Sequence, residues 1–288
     1  MAKCIHPEKR YNEKYERFDV VACGRCIDCT QNKRADWSFR DQYEFNRKDT
    51  KSAKFITLTL ENEHQLHNSE GESTLWKQEP KNFIKRIRNE QNRTKNKPKD
   101  IHKWPKFAYH GCAEYGKNTQ RAHYHILLFN AYPDIIENLH AIWGKGHVRI
   151  DPINTARIHY ISKYQTKFQA KEIQEQTKEQ EFQFMSQSLG IGYVEQHKAY
   201  HQAHQRLEVF NTQTKRFQIM PRYYRDKIFT EEQLERIRQE AFDKFPENDR
   251  NYWEALIKDS NGNPLEVERQ REHHRQYLAQ KSLRSGYL

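Results

Sequence analysis

The sequence predicts an α+β fold, with a central antiparallel sheet and helices packed on one face. A cysteine-rich N-terminal module precedes that core and a mainly helical C-terminal extension follows it. Three observations carry the expectation. Stretches of alternating β-branched and aromatic residues recur between segments of helical periodicity, in the order β-α-β-β-α-β-α. A polar loop, Gly116 to Arg121, separates two adjacent strand-like runs as a hairpin would. Four cysteines, Cys4, Cys23, Cys26 and Cys29, crowd the first tenth of the chain.

The elements follow in order. Thr30 is placed to cap a helix in which Ala35, Phe39, Tyr43 and Asn46 keep helical spacing. Lys54 to Leu60 alternates as a strand, and Phe83, Ile84 and Ile87 mark a helix that ends in a basic run. Phe107 to Tyr115 and Ala122 to Phe129 are the hairpin strands. Pro133 to Trp143 reads as one helix, stopped by Gly144 and Gly146, and Gly146 to Ile150 as a short strand. Asn154 or Thr155 caps a helix that runs to about Phe168. Residues 169–187 are rich in Gln, Glu and Lys and read as a linker or an exposed helix. Thr230-Glu231-Glu232-Gln233 has the form of a capping box, opening a helix through Leu234, Ile237 and Ala241. The expected domains are 1–50, a cysteine-rich module and helix; 51–170, the sheet core; and 171–288, a linker and mainly helical extension.

Composition narrows the function. With 35% hydrophobic residues and a mean hydropathy of −1.17, the chain can build a core over part of its length only. No apolar stretch approaches the roughly 18 residues of a membrane span, and Met1 to Glu8 lacks a signal-peptide pattern. Neither a membrane protein nor a conventional secreted one is expected. Fifty Lys and Arg stand against 39 Asp and Glu, a net charge of +11, which suits a polyanionic partner. The bland reading of that excess is solubility. An aromatic content of 12% shifts the balance toward single-stranded nucleic acid, whose unpaired bases stack on rings.

His123-Tyr124-His125 starts the strand after the hairpin loop, so both imidazoles face one side. If the loop is symmetric, Tyr115 pairs with Ala122 and Glu114 lies opposite His123 on that same face. Two neutral imidazoles and a carboxylate hold a divalent cation while leaving positions open. A hydrogen-bonded histidine pair beside an ordinary acid is the plain alternative, and a non-haem iron oxygenase is a rival use of the same ligands. Cys112 shares the Glu114 face and reads as a small buried residue or a neighbour of the cation.

Ile158 to Phe168 repeats Tyr-x-x-Lys, which places Tyr160, Lys163, Tyr164 and Lys167 within one helical face. Ile158, Ile161, Gln165 and Phe168 occupy another. The phenols therefore need not belong to the packed stripe. A tyrosine assisted by a cation and nearby lysines can attack a DNA phosphodiester, giving a phosphotyrosyl enzyme and a free 3′-hydroxyl. A second tyrosine one turn away can act on a second strand.

Cys23-x-x-Cys26-x-x-Cys29 with Cys4 supplies four thiolates, for which tetrahedral zinc is the expected occupant and an iron–sulfur cluster the alternative. His6 is an alternative to Cys4. The run Lys81, Lys85, Arg86, Arg88, Arg93, Lys95, Lys97, Lys99 and Lys103, followed by Trp104 and Phe107, is either a solvated face or a track for a nucleic-acid backbone. Arg222, Tyr223, Tyr224 and Arg225 form a second candidate contact.

Taken together, these residues resemble the HUH rolling-circle replication endonucleases. Ala122 to Phe129 is similar to that family's His-hydrophobic-His motif, Phe55 to Leu60 to its first motif, and Tyr160-Ile161-Ser162-Lys163-Tyr164 to its two-tyrosine motif. Glu114 stands where many members carry the third metal ligand. The layout over about residues 1–230, with Cys23 to Cys29, Trp37 and Pro221-Arg222-Tyr223-Tyr224, is similar to the replication initiation proteins of gokushovirus-type microviruses. The resemblance implies a ferredoxin-like or RRM-like HUH core, a Mg²⁺ or Mn²⁺ cofactor, and nicking of a phage replication origin in single-stranded DNA. It also implies host replication helicase and polymerase as partners, the cytoplasm of a bacterial host as the place of action, and Tyr160 as the initiating nucleophile. Other classes consistent with the residues are a zinc-stabilised, non-catalytic single-stranded nucleic-acid-binding protein and a transposase or relaxase with the same chemistry.

Overall fold

The computed structural model describes residues 4, 8–14, 16–95, 97–98, 104–167, 178–212 and 214–243. The chain divides into two compact units, residues 1–191 and 192–288. In the first, β1 (Glu8–Asn12) and β2 (Arg17–Val21) form a hairpin that leads into α1 (Ile27–Asn46). Then follow β3 (Ala53–Thr59), α2 (Gln78–Arg93), β4 (Ala108–Tyr115) and β5 (Ala122–Phe129). Short helices α3 (Pro133–Glu137) and α4 (Leu139–Trp143) lead to β6 (Val148–Pro152), α5 (Thr155–Lys167) and β7 (Phe182–Met185). The second unit contains α6 (Gly192–His204), the hairpin β8 (Glu208–Asn211) and β9 (Arg216–Ile219), α7 (Arg222–Ile228) and α8 (Glu231–Asp243).

The first unit is built on a five-stranded sheet in the order β6-β3-β5-β4-β7, every neighbouring pair antiparallel. The hydrophobic run of β5 takes a central place, as its apolar residues on both sides require. Tyr124, Ile126 and Leu128 face a core completed by Phe83, Ile84 and Ile87 of α2, Ile135 of α3, and Leu139 and Trp143 of α4. Leu127 and Phe129 face the other way, onto Phe55, Cys112, and Ile158 and Ile161 of α5, with Trp37 and Phe45 of α1 packed alongside. Helices therefore cover both faces of the sheet, not one. The reason lies in β5 itself: a strand apolar on alternate and intervening positions leaves a wet hydrophobic surface unless both sides are roofed.

Several local expectations are corrected. Thr30 does not cap α1; it lies within the helix, its hydroxyl donating to the Cys26 carbonyl at 3.2 Å, and Cys26 is the N-cap. The segment Pro133 to Trp143 breaks at Asn138, whose side chain donates to the Asp134 carbonyl at 2.7 Å. The short strand after α4 begins at Val148 rather than Gly146. The expected linker 169–187 contains β7, which extends the sheet beside β4. The hairpins β1–β2 and β8–β9 are additions to the expected order of elements. Phe168, His6, Lys99, Lys103 and residues 264–288 lie outside the described residues.

Other expectations hold. The loop Gly116 to Arg121 closes with the Gly116 N–H donating to the Arg121 carbonyl at 2.9 Å, and the register pairs Tyr115 with Ala122 and Glu114 with His123. At α8 the Thr230 N–H donates to Gln233 Oε1 (2.9 Å) and the Gln233 N–H to Thr230 Oγ1 (3.2 Å), a reciprocal capping box.

Gly111, in mid-β4, shows how tightly the sheet is packed beside the histidine strand. A Cβ there would stand 2.5 Å from the Phe184 ring and 2.8 Å from the His125 carbonyl oxygen. Gly111→Ala must displace β5 at His125, and we expect a loss of about 1–3 kcal/mol of stability in urea unfolding. An unchanged midpoint would contradict this packing.

Candidate active site

The β4–β5 register brings three ligand groups to one face. His123 and His125 alternate along β5, and Glu114 sits across from His123. The Nε2 atoms of His123 and His125 lie 3.0 Å and 2.8 Å from the same carboxylate oxygen, Glu114 Oε1. Their outer nitrogens are also engaged. His123 Nδ1 donates to the Arg121 carbonyl at 3.1 Å, and His125 Nδ1 lies 3.0 Å from Thr57 Oγ1. Because a carbonyl only accepts, the first of these bonds fixes the proton on Nδ1 and turns the Nε2 lone pair of neutral His123 toward Glu114. The Phe55 ring stacks on His125 at 5.4 Å between centroids.

Glu114 is 5% exposed. Burial alone would raise its pKa, but hydrogen bonds from His123, His125 and Tyr160 outweigh it and hold the carboxyl well below the usual carboxylate range. The two imidazoles move apart. Burial lowers both, yet the Glu114 contact leaves His123 above its ordinary value and His125 below it. A buried carboxylate oxygen facing two imidazole nitrogens calls for positive charge between them, whether protons or a metal.

The donor set fits a small divalent ion. Oxygen and nitrogen ligands at roughly 2.1 Å in octahedral geometry stand about 3 Å apart, matching the 3.0 and 2.8 Å separations. All three ligand atoms lie within 4.8 Å of one another.

Tyr160 reaches this group from α5. Asn154, rather than Thr155, caps the helix, its Oδ1 accepting from the Arg157 N–H at 2.9 Å. Ile158 and Ile161, both at 0% exposure, pin α5 to the sheet. That leaves Tyr160 on the adjoining face, its hydroxyl donating in a short hydrogen bond to Glu114 Oε1. Burial, then the charge of Glu114, pushes the Tyr160 phenol far above its usual value, so the side chain rests protonated. Lys163 Nζ stands 4.6 Å from the Tyr160 ring centroid. Tyr164 and Lys167 follow on the same helix, but their side chains lie outside the described residues. Cys112 lies opposite His125 in the register and is fully buried.

The N-terminal thiols also converge. Cys26 Sγ lies 3.8 Å from Cys4 Sγ and Cys23 Sγ 4.0 Å from Cys29 Sγ. A tetrahedral thiolate site with bonds near 2.3 Å has edges of about 3.8 Å, so the four atoms fit one. The Cys23 N–H donates to Cys4 Sγ and the Cys26 N–H to Cys23 Sγ, both at 3.3 Å. Backbone donors from Arg25 and Cys26 lower the Cys23 thiol to about 6, whereas burial pushes Cys29 up to about 12. No disulfide joins them.

The basic residues are not gathered at the triad. Lys85, Arg86, Arg88 and Arg93 belong to α2, which packs on the opposite face of the sheet. Arg86 is structural: its guanidinium donates to the carbonyls of Ile142 (2.9 Å) and Trp143 (3.3 Å). Arg93 lies 3.9 Å from Glu90. Lys85, Lys95 and Lys97 are exposed. Arg222 pairs with Asp226 on α7 of the second unit.

Sequence reasoning missed Thr57 as the support of His125. The signal was present, since Thr57 is a polar residue on the Phe55 face of β3 and pairs directly with His125. Thr57→Val removes the hydroxyl at nearly constant shape and should weaken Mn²⁺ binding about 10–100-fold by isothermal titration. Parental affinity would show that Thr57 plays no part in orienting the ligand.

Residues 53–169 match the model of a family of phage-type replication-associated proteins, described by its ORF2 members. The chain is 27% identical over 171 residues to "Replication-associated protein ORF2" of Spiroplasma virus 4, covering 54% of this chain and 51% of the relative. It is 25% identical over 178 residues to "Replication-associated protein VP4" of Bdellovibrio phage phiMH2K, covering 57% and 53%. It is 24% identical over 196 residues to "Replication-associated protein ORF4" of Chlamydia phage 1, covering 60% and 45%. The chain thus spans about half the length of the curated relatives it matches. No solved structure matches it. The stretch from β3 to α5, which carries Glu114, His123, His125 and Tyr160, is the part of the chain that matches the replication-associated protein ORF2 family.

Proposed function

We propose that the chain is a metal-dependent single-stranded DNA endonuclease and strand transferase. It nicks a replication origin through a 5′-phosphotyrosyl intermediate and so starts rolling-circle replication. One observation carries the reading: the Tyr160 hydroxyl and the inner nitrogens of His123 and His125 meet at a single oxygen of Glu114. A nucleophile held beside a cation-binding group is the arrangement that phosphoryl transfer uses, where positioning and charge stabilisation supply most of the rate. The match to phage replication-associated proteins supports an origin as the target, and the net charge of +11 supports a nucleic-acid substrate.

Bound to Glu114, His123 and His125, Mg²⁺ or Mn²⁺ supplies Lewis-acid polarisation of the scissile phosphate. The Tyr160 oxygen attacks phosphorus, the P–O3′ bond breaks, and the departing 3′-oxygen takes up a proton to become a free 3′-hydroxyl. The phosphate remains esterified to Tyr160 at the 5′ side, so the bond is conserved for later transfer. Lys163 places positive charge beside the phenol, and Lys167 does the same one turn on, where Tyr164 serves as the second nucleophile. The four cysteines hold structural zinc, which braces a module too small to bury a core of its own. The proposed setting is a bacterial host cell, with its replicative helicase and polymerase extending the 3′-hydroxyl. No helix among the described residues is long and apolar enough to cross a membrane.

The test is a denaturing gel after incubation with labelled single-stranded origin DNA and Mn²⁺. We expect a covalent protein–DNA band that a chelator abolishes and that Tyr160→Phe/Tyr164→Phe lowers by roughly 10³-fold or more. Cleavage that survives the double substitution overturns the nucleophile assignment. Binding with no covalent band under any metal would instead favour a non-catalytic single-strand-binding protein.

A further inference from the structure

A groove opens at the start of β4, on the face of the sheet that α2 covers. Phe107 and Tyr109 line it, their ring centroids 6.1 Å apart, and Arg88, Gln91 and Asn92 of α2 form the facing wall with Lys106. Its volume is about 670 Å³, within the size range of small-ligand sites, roughly 300–1,000 Å³.

The lining is chemically specific. The Arg88 guanidinium lies over both rings, 5.9 Å from the Phe107 centroid and 5.5 Å from that of Tyr109. Among the described residues, no carboxylate forms an ion pair with Arg88 or Lys106. Gln91 Oε1 is buried and has no hydrogen-bond donor among the described residues. Uncompensated buried polar atoms cost stability unless something completes them. Two cations without anions, two aromatic faces and an amide oxygen lacking a donor together describe the complement of a nucleotide: phosphate, base face and base edge.

We propose that this groove holds one nucleotide of the single-stranded DNA, at a distance from the reacting phosphate. Its phosphate meets Arg88 and Lys106, its base lies against Phe107 and Tyr109, and an N–H on the base edge donates to Gln91 Oε1. A duplex keeps its base faces stacked and offers none to the rings, which favours a single strand. Tyr109 and Glu114 lie on one strand at an odd separation, so they point to opposite faces, about 17 Å apart along β4. A DNA strand engaging both would pass around the β7 edge of the sheet. The proposal rests on the single-stranded DNA reading above and adds to it a second point of contact.

The experiment is fluorescence anisotropy with a labelled mixed-sequence single-stranded oligonucleotide across a salt series, run on the full chain alongside the covalent-adduct assay. Lys106 and Arg88 are exposed, so Arg88→Ala/Lys106→Ala leaves the core intact. We expect about tenfold weaker binding and a salt slope reduced by about one per cation removed. A bromodeoxyuridine-substituted strand should photocrosslink to a peptide containing Phe107 and Tyr109. If the parent binds DNA and forms the adduct while the double variant keeps the parental affinity and slope and no such crosslink appears, the groove proposal fails and the nuclease reading stands. If the parent binds no single-stranded DNA at all, both fail.

Discussion

The structure is organised around one buried carboxylate oxygen, Glu114 Oε1. Two imidazole nitrogens and a phenol converge on it, in a setting where Glu114 is 5% exposed. Such a group is costly to bury unless every contact is satisfied. The satisfaction comes from elements far apart in sequence: β4 supplies the carboxylate, β5 the imidazoles, β3 the Thr57 prop and α5 the phenol. Moving the hairpin register by one residue would carry Glu114 to the other face and dissolve the group.

The two-sided packing of the sheet follows from the same centre. One face buries its apolar residues under α2, α3 and α4 as an ordinary core. The other is roofed by α1 and α5, which pack on Leu127, Phe129 and Cys112 toward the far end and leave the Glu114 end to polar groups. Ile158 and Ile161 anchor α5 through the hydrophobic effect, and that anchor sets the height at which Tyr160 meets the carboxylate. Core packing and site geometry are thus one constraint rather than two.

Much of this is legible in residue order. Alternation decides which side of β5 each histidine takes, and a symmetric loop is enough to place Glu114 opposite His123. The capping box at Thr230 is readable because its partners lie three residues apart. What escapes depends on contacts distant in sequence. Amphipathicity reveals that Phe83, Ile84 and Ile87 face a core, but not which side of the sheet holds it, so residue order does not place the basic residues of α2 relative to the triad. Phe182 to Met185 is too short and too closely flanked by polar residues to announce a strand, and it becomes one by pairing with β4. Thr30 resembles a cap in isolation, but the first turn of α1 is set further back, where Cys26 ends the cysteine turn.

Whether Glu114, His123 and His125 share one divalent cation within reach of Tyr160 decides the rest. Anomalous diffraction from crystals grown with Mn²⁺ addresses it directly. The predicted result is a single manganese peak coordinated by Glu114 Oε1 and both Nε2 atoms, with the Tyr160 hydroxyl beside it. Manganese bound elsewhere, with the carboxylate and imidazoles contacting only one another, would contradict it.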